Sequence, residues 1–162
     1  MRAIVCVLAL AACAYCQVSN YLKGDANNCP SVLVVKPAMD SENIGRDLEP
    51  EDFQTSSSLI GDAIAQQYDN CTVISVGDLP KYEKCNCFVM VAKVKSYVKE
   101  PARMGQWVGN LTVEVLTFDS PRANKPNESQ DFQGNSGRTW GSSGPFRDAS
   151  DAVAKDIRRH LE

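Results

Sequence analysis

Hydrophobic and polar positions divide the chain into a short series of elements. Val32-Leu33-Val34-Val35 are four consecutive aliphatic residues, three of them β-branched, and predict a strand over 31–36 covered on both faces. Pro37 ends it. Between Pro50 and Tyr68, the residues Phe53, Ile60, Ala63, Ile64 and Tyr68 fall on one helical stripe. Pro50 suits a first helical turn, and Glu51 and Asp52 complement the positive dipole end. Gly61 and Ser56 to Ser58 weaken this helix but let it pack closely on a sheet. Cys71 to Val76 predicts a second β-branched strand, closed by Gly77-Asp78.

Strict alternation follows. Phe88, Met90, Ala92, Val94 and Val98 share one face of a long strand, and Lys93, Lys95 and Lys99 share the other. After a turn around 101–106, Trp107 to Phe118 alternates again, with Leu111, Val113 and Val115 inward and Asn110, Thr112 and Glu114 outward. A polar loop over 119–130 leads to a glycine-interrupted strand over 131–142, where glycine signals a bulge or a close backbone approach. Phe146, Ala149, Val153, Ile157 and Leu161 then mark the buried stripe of a terminal helix over 145–161. The order β-α-β-β-β-β-α predicts an α/β (α+β) two-layer sandwich, with about five strands in a mixed sheet and two helices. Its first three elements predict a crossover with parallel strands.

The first residues fit none of this. Met1-Arg2 precede an unbroken apolar run from Ala3 to Ala12, the architecture of a signal peptide over 1–12. The run is too short to span a bilayer, and no later segment reaches the roughly 18 apolar residues that a span needs. Residues 13–28 are polar and aperiodic and read as a tether, and residues 29–162 as one domain. Net charge is −3, and no basic footprint for nucleic acid is expected.

Leu10-Ala11-Ala12-Cys13 resembles the lipobox of bacterial lipoproteins. The resemblance implies cleavage before Cys13, diacylation of its sulfur, and attachment to a membrane through that lipid. Ala14, in place of Asp, implies the outer membrane, with the domain facing the periplasm. Together with the tether, the Val-Val-Lys-Pro of the first strand, the long meander and the C-terminal helix, the lipobox makes the chain similar to small envelope lipoproteins. These share the fold of the TolB N-terminal domain, the activators of penicillin-binding proteins and the curli-secretion lipoproteins. The resemblance implies a non-enzymatic protein that binds or helps assemble another envelope component. Among candidate site residues it reaches only Cys13.

A second reading fits the same leader. Cleavage before Tyr15 or Gln17 would release a secreted protein, and cleavage before Gln17 leaves four cysteines, Cys29, Cys71, Cys85 and Cys87. Asn70, Asn110 and Asn127 each begin an N-glycosylation sequon. The alternative is therefore a eukaryotic, disulfide-stabilised glycoprotein that binds an extracellular ligand.

Catalytic residue types are sparse. The single histidine, His160, lies two residues from the C-terminus, where it complements the helix dipole rather than a nucleophile. Asp78, Glu114 and Asp131 have no spacing that requires them to converge. Cys85-Asn86-Cys87 is spaced too tightly for a typical zinc pair, and an exported chain meets an oxidising compartment, so disulfide use is expected over metal. Gly141-Ser142-Ser143-Gly144 lacks the Lys and Thr that would complete a phosphate cradle. Trp107 and Trp140 read as core or strand-pairing residues. No enzymatic activity and no cofactor are expected. A Cys29–Cys71 disulfide is expected if the two parallel strands are neighbours, since both then start at one sheet edge within disulfide reach; a strand between them would forbid the bond and leave Cys85 and Cys87 to compete for either partner.

Overall fold

A computed structural model describes residues 29–38, 50–141 and 144–161. The segments expected as signal peptide and tether, Cys13 among them, and half of Gly141-Ser142-Ser143-Gly144 lie outside the described residues.

Five strands form one mixed sheet: β1 (Val32–Val35), β2 (Cys71–Ile74), β3 (Phe88–Pro101), β4 (Trp107–Phe118) and β5 (Glu128–Thr139). Their spatial order is β2-β1-β3-β4-β5. β1 is parallel to both neighbours, and β3, β4 and β5 form an antiparallel meander. Helices α1 (Pro50–Ala65) and α2 (Gly144–Leu161) cover one face. This is the predicted element order.

β1 is buried on both faces because each is covered by different structure. Val32 and Val34 join the core under the helices, with Phe53, Ile60 and Ile64. Leu33 and Val35 point to a second cluster with Ile74, Tyr82, Cys85, Cys87 and Val89. A 3-10 segment, Val76–Tyr82, and the residues after it supply that cover. The expected close approach of α1 occurs at Gly61: a Cβ there would lie 3.0 Å from Val73 and 3.1 Å from Lys36.

A β-bulge between Val94 and Ser96 changes the faces of β3. One extra residue reverses the alternation beyond it. Tyr97 therefore takes the inward position and stacks edge-on against Phe146, with centroids 4.9 Å apart. Val98, expected inward, is turned out and is 48% exposed. Phe88, also expected inward, is exposed at the start of β3. Lys99 leaves the lysine face and lies over the Trp107 ring, 4.6 Å from its centroid.

β5 begins three residues earlier than its alternation suggests, because Glu128 pairs with Thr117 on β4. It ends at Thr139, which leaves Trp140 outside the sheet. Gly134 meets α2 so closely that a Cβ there would collide with the Ala149 carbonyl oxygen. The close backbone approach read from the glycines is located there.

Candidate functional site

The carboxyl ends of β1 and β2 open into a polar cleft of about 400 Å³, in the position where α/β sheets commonly bind ligands. Lys36 follows β1 directly, and its N–H donates to the Ile74 carbonyl at 3.0 Å. Its Nζ donates to Ser58 Oγ on α1 at 3.3 Å. Asp62, one turn beyond Ser58, stands on the same wall. Burial pushes the Asp62 carboxyl up, against the opposing pull of Lys36 and Arg158. The 3-10 segment supplies Asp78 and Lys81 from the other side, paired at 2.6 Å. The hydrogen bond and charge of Lys81 hold the Asp78 carboxyl below its ordinary value.

This cleft offers two cations, two carboxylates and the Ser58 and Ser75 hydroxyls to a small polar group. The Lys36–Ser58 contact has the residue types of a Ser–Lys nucleophile. Such a lysine acts as a base when it is desolvated and kept from carboxylates. Lys36 instead stands in an open cleft within electrostatic range of Asp62 and Asp78. No sequence pattern announces this group, because its members come from three elements and share no spacing.

The cysteines pair differently from the expectation. Cys29 is bonded to Cys85, with Cα atoms 5.4 Å apart, and Cys71 is a buried free thiol. The register explains the correction. β1 and β2 are indeed adjacent, but Cys71 lies level with Val32, three positions beyond Cys29, and enters the core under the helices. β3 lies on the other side of β1, where Val32 is level with Phe88. Three positions before these two residues are Cys29 and Cys85. Cys87 is also a free thiol among the described residues and belongs to the opposite cluster from Cys71. Burial pushes the Cys71 thiol up to about 12 and raises that of Cys87, which makes both poor nucleophiles.

The remaining candidates are dispersed. His160 is exposed, with Nδ1 2.9 Å from the Asp156 carbonyl and 3.3 Å from its carboxylate. Glu114 and Asp131 do meet, as direct partners across β4 and β5 on the sheet face away from the helices, whereas Asp78 lines the cleft. Lys95, the bulge residue, bonds Asp131 at 2.6 Å, and Ser129 donates to Glu114 at 2.8 Å. Trp107 is half-buried in β4, but Trp140 is 66% exposed and is not a core residue. Asn70, Asn110 and Asn127 are all exposed. No helix among the described residues is long and apolar enough to cross a membrane.

The sequence matches no protein-family model and no curated protein. Similar folds occur among solved structures. Protein CT253 from Chlamydia trachomatis is 17% identical, with a TM-score of 0.50 over 83% of this chain and 96% of that one. A Helicobacter pylori protein described as a homolog of a neuraminyllactose-binding hemagglutinin is 12% identical, with a TM-score of 0.50 over 86% of this chain and 88% of that one. A minor lipoprotein from Acinetobacter baumannii is 13% identical, with a TM-score of 0.44 over 81% and 90%. At these identities the likeness is one of fold.

Proposed function

We propose that this chain is an exported, lipid-anchored protein of the bacterial envelope that binds or helps assemble another envelope component without catalysing a reaction. The observation that carries this reading is Leu10-Ala11-Ala12-Cys13 at the end of an apolar leader. Diacylation needs a thiol at that position and small residues before it. Two acyl chains hold a protein at a membrane where one is marginal, since each buried CH₂ contributes about 0.8 kcal/mol. Ala14 supports an outer-membrane destination, with the domain facing the periplasm. Partial support for a binding role comes from the cleft at Lys36, Asp62, Asp78 and Lys81, whose charges suit recognition of a polar group better than proton transfer.

Replacing the anchor tests the reading. Cys13→Ser, expressed in a bacterial host, is expected to leave the membrane fraction or to accumulate unprocessed. Unchanged membrane association and mature mass would contradict it.

A secreted glycoprotein is the second reading. It is favoured by the exposure of Asn70, Asn110 and Asn127 together with the Cys29–Cys85 disulfide. Expression in a eukaryotic host distinguishes it: glycan on these asparagines and soluble release into the medium support secretion.

A further inference from the structure

The end of the sheet opposite the disulfide is built differently from the rest of the molecule. β3 runs 14 residues, about 46 Å, from Phe88 beside β1 to the turn that joins it to β4. That turn, Arg103–Gly105, places Met104 at φ 60°, a left-handed conformation that a side chain larger than glycine adopts rarely. Met104 is 88% exposed. Trp140, leaving β5, lies alongside: a Cβ on Gly105 would sit 3.8 Å from the Trp140 ring. These two are the most exposed large hydrophobic side chains among the described residues. Trp107, level with Thr139 on the next strand, brings the second indole to the same end, under the Lys99 ammonium.

The charge around this apolar tip has one predominant sign. Along the strands and the turn that form the tip, Lys99, Arg103 and Arg138 stand within a few residues of it against Glu100, while Glu51, Asp52 and Asp148 belong to the helix starts behind it, on a chain whose net charge is −3. A thioether and an indole projecting past the sheet, flanked by long cationic side chains, match the layering of a bilayer interface. Apolar groups and indole rings enter at headgroup level, and Lys and Arg remain at the anionic surface.

We infer that the β3–β4 tip, through Met104 and Trp140 flanked by Arg103 and Arg138, is a docking surface for an anionic lipid bilayer. This contact is independent of any N-terminal acyl chain, because the tip and the entry to β1 lie at opposite ends of β3.

Both tryptophans of the chain are at this tip, so intrinsic fluorescence reports on it directly. The full-length protein is mixed with phosphatidylcholine vesicles, with and without phosphatidylglycerol, using acyl chains brominated near the headgroup as quenchers. The readout is tryptophan quenching, and Cys13→Ser protein is measured beside the parent, so that tethering through an N-terminal acyl chain is separated from contact at the tip. A blue shift and quenching are expected on the mixed vesicles and little of either on phosphatidylcholine alone. Each surface cation strengthens such contact about fivefold, so Arg103→Gln with Arg138→Gln should weaken it roughly 25-fold. Met104→Ser should reduce quenching of both indoles. Trp140→Ser should leave Trp107 with weak quenching. Emission that brominated chains never quench, in either membrane, would overturn the inference. So would a blue shift obtained with polyglutamate but not with anionic vesicles, which would assign the tip to an acidic protein partner.

Discussion

Across β3, β4 and β5 the helix-side face carries Ala92, Val94, Leu111, Val113, Val115 and Phe132, all buried under α1 and α2. The opposite face of the same strands carries Lys93, Lys95, Glu114, Asp131, Asn110 and Asn135, and among the described residues no element lies over these positions. Each Val, Leu or Phe side chain buried on the first face contributes about 1.5–3 kcal/mol, whereas an exposed ion pair on the second contributes about 0–1 kcal/mol. One set of strands thus supports two surfaces of different purpose. The helix side holds the fold, and the bare side is free to vary in charge at little cost. Nearer β1 the second face turns apolar again, with Val89, Val91 and Phe118, and there the segment after β2 covers it.

The largest expected effect concerns that cover. Cys29 and Cys85 are 56 positions apart, and a closed loop of that size is worth about 4 kcal/mol in the chain-entropy account. Cys85→Ser should lower unfolding free energy by about that amount in a urea titration, with peptide mapping of the parent showing Cys29 linked to Cys85. A change below ~1 kcal/mol would mean that the second face holds its cover without the bond.

Gly134→Ala tests the helix side. The added methyl group would collide with the Ala149 carbonyl and with Val153, both backbone and side chain, so neither neighbour can yield by rotating. A loss of about 1–3 kcal/mol is expected from thermal or urea unfolding, as for other overpacked sites. A neutral result would show that α2 can lift off β5 freely.

The bare face gives the smallest effect. Lys95→Ala removes the 2.6 Å pair with Asp131, and both groups are well exposed. Stability should fall by less than ~1 kcal/mol, and the difference should shrink further in high salt. A loss comparable with that of Gly134→Ala would erase the distinction between the two faces.

Much of this arrangement is legible in the residues themselves. Continuous aliphatics mark β1 as covered on both sides, and the 3.6-residue stripes mark the buried faces of both helices. What the pattern does not carry is register. The bulge at Lys95 inverts the faces of Tyr97 and Val98, and nothing in the alternation before it announces the extra residue. The same limit misdirects the disulfide. Sequence order makes β2 the natural neighbour of β1, but β3 also pairs with β1, and Cys85 is the cysteine level with Cys29. The cleft is invisible for a related reason: Lys36, Ser58, Asp62, Asp78 and Lys81 converge from three separate elements.

The chemical state of Cys13 tests the lipid anchor most directly. Intact-mass and N-terminal peptide analysis of the mature protein from its native membrane fraction should find Cys13 as the first residue, carrying diacylglycerol on sulfur. The same spectra should show Asn70, Asn110 and Asn127 unmodified. A mature chain that begins at Tyr15 or Gln17, or hexose-rich heterogeneity on those asparagines, would contradict the lipid-anchored reading and replace it with secretion.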